Sequence, residues 1–143
     1  MKKSSLFFII VACIISVVAI SFFGLKVEMG QFTVYMTSIS ITNDYQEVAG
    51  NKLITVYLNS EGYATLTLDY TYAPEDATYP DAVKYTLTNN TYTDEETGET
   101  KYYATVNSYG EVVFYKAKTV IATITTTDGS QLTDSVYIIC WNS

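Results

Sequence analysis

From Gln31 to the C terminus the chain repeats one pattern: short segments in which apolar and polar residues alternate with period two, each closed by turn residues. Successive side chains of a strand point to opposite faces, so this alternation gives an extended segment one apolar face, whereas it gives a helix no continuous stripe. The clearest instance is residues 63–72. There Ala64, Leu66, Leu68, Tyr70 and Tyr72 alternate with Tyr63, Thr65, Thr67, Asp69 and Thr71. The composition agrees, since 14 Tyr, six Phe and abundant Thr, Val and Ile are the residues that pack best on a pleated surface.

The remaining segments follow the same logic. Phe32, Val34 and Met36 alternate and then slip one residue to Ile39 and Ile41, which predicts a break or bulge near Thr37-Ser38 and allows a first strand that switches sheets. Ile54, Val56 and Leu58 form the next apolar face, and Asn59-Ser60-Glu61-Gly62 is expected to close a hairpin onto residues 63–72. Val83, Tyr85 and Leu87 oppose Lys84, Thr86 and Thr88. Residues 93–99 are too charged to bury and predict a hairpin tip or loop. Residues 102–106, 111–117, 119–126 and 132–141 supply four more strands, with turns at 107–110 and 128–129. About eight strands of this spacing predict an antiparallel β-sandwich.

Ahead of this domain, Lys2 and Lys3 precede Leu6 to Leu25, twenty residues without a charge, which is the length of a membrane-spanning helix. The lysines place its start in the cytoplasm. The expected organisation is therefore an N-terminal membrane anchor or signal segment, residues 1–26, and an exported domain, residues 27–143. Ala19-Ile20-Ser21 offers signal peptidase a site after Ser21. The protein is thus a single-pass membrane protein with its C-terminal domain outside, or a secreted or cell-surface one if cleaved. Ile10-Val11-Ala12-Cys13 only loosely resembles a lipobox. A type IV pilin leader does not fit, because Gly24 would put Met29 where a Glu belongs.

Residues 27–143 hold five Lys against fifteen carboxylates, a net charge of −10. Such a surface repels phosphate backbones, so no nucleic-acid partner is expected. Cys13 lies in the apolar run and Cys140 in the last strand, so no internal disulfide is expected; Cys140 shares the phase of Val136 and Ile138 and reads as a buried small hydrophobe. The chain has no His, which removes the usual general base and zinc ligand, and the paired carboxylates Glu75-Asp76 and Glu95-Glu96 sit side by side in loops. A non-enzymatic protein without cofactor or metal is expected. Asp94, Glu95, Glu96 and Glu99 surround Gly98 with hard oxygen donors, but their spacing is not that of an EF-hand, and a solvated acidic hairpin is the simpler reading. Tyr57, Tyr63, Tyr103 and Tyr109 fall off the apolar faces and, with these four acids, form the candidate binding surface.

Residues 70–78, Tyr-Thr-Tyr-Ala-Pro-Glu-Asp-Ala-Thr, followed by Val83-Lys84-Tyr85-Thr86-Leu87, resemble the group 2 bacterial immunoglobulin-like domain family. The segment Ala104-Thr105-Val106 through Gly110-Glu111-Val112, the closing Ile121-Ala122-Thr123-Ile124-Thr125 with Asp128-Gly129, and the opening Ser38-Ile39-Ser40-Ile41 agree in order. Tyr85 stands where the family usually has Trp, Lys118-Thr119 replaces its Gly-Thr, and the acidic segment 90–101 is an insertion. The resemblance implies an all-β, immunoglobulin-like antiparallel sandwich preceded by one hydrophobic N-terminal helix, and it implies no catalytic residues. Together with the anchor it leads to a cell-surface structural or interaction module, held at the membrane through residues 6–25 and facing a partner protein or wall polysaccharide. Two other readings stay open: a secreted subunit assembling into a surface fibre through the edge at residues 31–42, and a carbohydrate-binding accessory domain.

Overall fold

A computed structural model of the chain describes residues 9–15 and 32–143. Residues 9–15 are helical. The remainder of the expected 6–25 span, the cleavage point after Ser21 and the boundary at residues 26 and 27 lie outside the described residues. Among the described residues no helix is long and apolar enough to cross a membrane.

The alternating segments become strands within the compact unit Val34–Ser143. In chain order they are β1 (Ser38–Ile41), β2 (Gln46–Val48), β3 (Asn51–Tyr57), β4 (Ala64–Thr67), β5 (Tyr70–Ala73), β6 (Val83–Thr88), β7 (Thr91–Thr93), β8 (Thr100–Tyr102), β9 (Ala104–Val106), β10 (Glu111–Phe114), β11 (Thr119–Thr126) and β12 (Thr133–Trp141). One layer is the sheet β2-β3-β12-β11-β6, in which β3 runs parallel to β12 and the other pairs are antiparallel. The facing layer combines β4-β10-β9 with the pair β1-β5, and β7-β8 form a separate ribbon. β4 and β5 are successive halves of one extended segment, so the order across the second layer is β1, β5/β4, β10, β9. This is the strand order of an immunoglobulin-like sandwich.

The core is what the period-two pattern placed inward. Ile41, Ala64, Leu68, Ala104, Val112 and Phe114 from one layer meet Ile54, Leu58, Val120, Ala122, Ile124, Val136, Ile138 and Cys140 from the other in one buried cluster. Each fully buried large aliphatic or aromatic side chain contributes about 1.5–3 kcal/mol. Cys140 is buried as expected, and burial pushes its thiol pKa up. Cys13 and Cys140 are both free thiols.

Four local expectations need correction. The turn at Asn59 forms, with Asn59 N–H to Tyr63 O at 2.8 Å, but it joins no hairpin. β3 pairs with β2 and β12 while β4 pairs with β10, so the turn carries the chain from one layer to the other. Turn chemistry reverses a chain without choosing its hydrogen-bond partner. The segment 63–72 breaks at Leu68-Asp69, where Asn43 accepts the Asp69 N–H (2.8 Å) and donates to Thr67 O (2.7 Å), and the strand exchanges β10 for β1. Residues 32–37 form no strand: Val34 N–H goes to Thr78 Oγ1 (2.7 Å) and Met36 N–H to Asp128 Oδ2 (2.9 Å). Side chains thus satisfy donors that a neighbouring strand would otherwise take, and Met36 is buried without a ladder. Residues 102–106 split at Tyr103 between β8 and β9, which belong to different sheets.

Candidate functional site

The acidic segment 90–101 folds into a hairpin, one of the two forms expected of it, with β7 and β8 antiparallel and Thr93 opposite Thr100. Asp94 organises its tip. Asp94 Oδ1 accepts the N–H groups of Glu96 (2.9 Å) and Thr97 (3.2 Å), and Oδ2 pairs with Lys101. The Lys101 ammonium, then these two N–H groups, hold the Asp94 carboxyl down to about 2. Glu95, Glu96 and Glu99 are solvent-exposed around it. Among the described residues no three acidic or Cys side chains are gathered to hold a metal ion, so the four acids do not come together as a ligand set.

Beside the hairpin, Tyr103 does not lie free on the surface. It is half-buried and packs on Tyr92 with ring centroids 4.6 Å apart. Lys116 Nζ lies 4.4 Å from the Tyr92 centroid and Lys118 Nζ 4.9 Å from that of Tyr103, so both ammonium groups rest on aromatic faces. Hydrogen bonding to Tyr92 raises the Lys116 pKa. Lys116 and Lys118 are stationed between β10 and β11 where residues 115–118 leave the sheet. Sequence reasoning missed Tyr92, Lys116 and Lys118, because their meeting depends on where the acidic hairpin folds back.

Tyr57 and Tyr63 belong to the end of the sandwich near the Asn59 turn. Tyr63 is 39% exposed and Tyr57 64%. Tyr57 ends β3 directly opposite Trp141 of β12, which is 55% exposed. Register partners on parallel strands share a face, so both rings stand on the outer side of the five-stranded sheet, about 4.8 Å apart at the backbone. Behind them on that face come the rows Thr55, Ile139, Thr119 and Leu53, Tyr137, Ile121. The outward positions of β3, β12, β11 and β6 carry no charge except Lys84 at the β6 edge. A depression of about 490 Å³, lined by Lys118, Thr119, Ile139 and Trp141 among others, opens at the same end. Trp141 escaped the candidate list although its signal was present: it follows the inward Cys140 and must therefore face outward.

Tyr109 occupies the opposite end. It is 84% exposed in the turn between β9 and β10, next to a cleft of about 410 Å³ shared with Tyr70, Asp81, Val83, Tyr85 and Ser108. The four candidate tyrosines therefore fall into three separate places and the acids into one, and the structure brings only Tyr103 close to the acidic hairpin, where both line one depression.

No family model matches this chain, and no curated protein matches it. Among solved structures the chain is similar to the N-terminal four Ig domains of Dscam1 isoform 4.44, with 10% sequence identity and a TM-score of 0.43 over 76% of this chain. It is also similar to SGBP-B of the Bacteroides ovatus mixed-linkage glucan utilization locus, solved in complex with a mixed-linkage heptasaccharide, with 11% identity and a TM-score of 0.43 over 74% of this chain. The match spans about a quarter of each of those chains, 26% and 24%.

Proposed function

We propose that the protein is a non-enzymatic bacterial cell-surface interaction module, tethered to the membrane by residues 6–25, whose sandwich holds a wall polysaccharide on the outer face of its five-stranded sheet. The observation that carries this reading is the exposed Tyr57–Trp141 pair at the end of an almost uncharged sheet face. A pyranose ring presents C–H groups on one side and hydroxyls around its rim. Two neighbouring aromatic rings supply an apolar platform for the first, and the hydroxyls of Thr55 and Thr119 stand ready for the second. The sequence holds no His, the usual general base, and this supports a binding rather than a catalytic role. The hydrophobic segment and the lysines before it support the tether.

Trp141 is the chain's one Trp, so its emission reports directly on this face. Full-length protein in polyoxyethylene micelles, titrated with purified bacterial wall polysaccharide, should show a saturable emission shift. The Tyr57→Ala variant should need about tenfold more polysaccharide, the loss of one aromatic contact. A Trp141 response to envelope proteins alone would replace the polysaccharide with a protein partner, and silence toward both would remove the binding role from this face. The intact mass of the protein in native membranes tests the tether: 143 residues retained support it, and loss of residues 1–21 would refute it.

A further inference from the structure

The cleft beside Tyr109 lies at the other end of the sandwich from Trp141. Phe114 of β10 is opposite Ala64, next to the Asn59 turn, whereas Glu111 is opposite Thr67 and the 107–110 turn adjoins Leu68, with Leu68 N–H to Gly110 O at 2.9 Å. Whatever the sheet face binds, this cleft is a separate place.

Its walls are fixed before any ligand arrives. Asn107 Oδ1 accepts the N–H groups of Tyr109 (2.9 Å) and Glu111 (3.0 Å), which sets the turn that presents Tyr109. Gly110, at φ +81°, lies so close under Tyr85 that a Cβ would stand 2.7 Å from the Tyr85 ring. Across the cleft, Tyr70 donates its hydroxyl to Pro80 O (2.9 Å), and Thr127 N–H bonds Ala82 O (2.7 Å), pinning the β5–β6 loop that carries Asp81. The cleft volume of about 410 Å³ is within the range of small-ligand sites.

The chemistry of the lining narrows the occupant. Tyr85 lies against the backbone of the turn and Tyr70 commits its hydroxyl to Pro80, whereas Tyr109 is 84% exposed and shares the cleft with Asp81, Ser108 and Tyr85. A cage for a quaternary ammonium needs several converging free ring faces. A single aromatic platform with a carboxylate and hydroxyls at its rim matches a sugar: the ring stacks and the hydroxyls donate to Asp81. Asp81, with Asp69 also acting on Tyr85, disfavours an acidic sugar, as does the net charge of −10 on residues 27–143. We propose that this cleft is a second, independent carbohydrate site that takes one neutral hexose unit of a glycan, stacked on Tyr109 and hydrogen-bonded to Asp81 and Ser108.

The test is amide-resolved NMR titration of the full-length chain in polyoxyethylene micelles, which carry neither sugar nor choline. The probes are cello-, malto- and chito-oligosaccharides, a polygalacturonate oligomer and choline. At least one neutral oligosaccharide should shift the amides of residues 107–111 and 80–83 saturably at millimolar concentration while leaving Trp141 emission unchanged. Tyr109→Ala and Asp81→Asn should each weaken it about tenfold or more, as expected for the loss of one stacked ring or one charged hydrogen bond. Trp141→Ala should leave it intact. Choline or polygalacturonate binding in place of the neutral sugars overturns the proposal. So does binding indifferent to Tyr109→Ala, and so does the absence of a saturable shift with every probe. Binding abolished by Trp141→Ala alone also overturns it, while leaving the sheet-face reading standing.

Discussion

Lys52 Nζ lies 2.6 Å from Asp134 Oδ2, and the same carboxylate oxygen accepts the N–H of Ile41 at 2.7 Å. Lys52 also donates to Ser40 Oγ (2.8 Å) and Ile41 O (3.0 Å). One ion pair therefore fastens β1 of one layer to β3 and β12 of the other. Both side chains are mostly shielded, at 19% and 23% exposure, which separates this pair from an ordinary surface salt bridge. Replacing Asp134 by Ala strands the Ile41 N–H and the ammonium together, and should lower unfolding free energy by about 2 kcal/mol. Asp134→Asn, which keeps an acceptor, should lose less. Urea denaturation of the two variants checks the order; equal stability of Asp134→Ala and wild type would show that the layers do not depend on this link.

Gly110 and Gly98 separate two contributions that glycine makes. Both have positive φ, +81° and +69°, but a Cβ at Gly110 would meet Tyr85 whereas one at Gly98 meets nothing within 4 Å. Gly98→Ala should cost about 1 kcal/mol from backbone conformation alone. Gly110→Ala adds a clash with a half-buried ring and should cost about 1–3 kcal/mol. A thermal melt of each variant measures the difference, and matching losses would mean that Tyr85 moves aside freely.

The acidic hairpin should respond to pH below the range where most carboxylates titrate. Because the folded Asp94 carboxyl is held at about 2 against an ordinary 3.8, its contribution to the hairpin is complete above the ordinary value and disappears as pH falls through about 2. The Glu96 and Thr97 amide signals, whose N–H groups it accepts, should shift with that low midpoint. In Lys101→Met the midpoint should climb toward 3.8, since the lysine is the largest of the stabilising partners. A midpoint unchanged by Lys101→Met would show that the backbone donors suffice.

Cys140 is 2% exposed, and burial raises its thiol pKa, so two effects oppose its reaction with thiol reagents. In a Cys13→Ser chain, the remaining thiol should react only as fast as the sandwich opens, and urea should accelerate it in step with unfolding. Immediate stoichiometric labelling in native buffer would mean that the end of β12 frays.

Two-residue periodicity determined much of this protein by itself. It assigned Ile54, Leu68, Val136, Ile138 and Cys140 to the interior, matched β11 residue for residue, and, with the ordered family motifs, led to an immunoglobulin-like sandwich. These features were legible because inward and outward positions are written in each strand's own sequence. The charge density of residues 93–99 likewise kept them out of the core without reference to any other part of the chain, and the pairing of β7 with β8 made them a hairpin tip.

Only the tertiary structure decided which strands pair and which surface groups meet. The Asn59 turn looked like a hairpin because its local chemistry is the same whether the chain returns to the same sheet or crosses to the other; the parallel pairing of β3 with β12, more than eighty residues away, made it a crossing. The Tyr57–Trp141 pairing, the lysines on Tyr92 and Tyr103, and the cleft at Tyr109 all join residues from separate segments of the sequence. Burial is a property of one segment and its own alternation. Adjacency on a surface is a property of two segments and the register between them, and register is set by long-range hydrogen bonds that no short stretch of sequence contains.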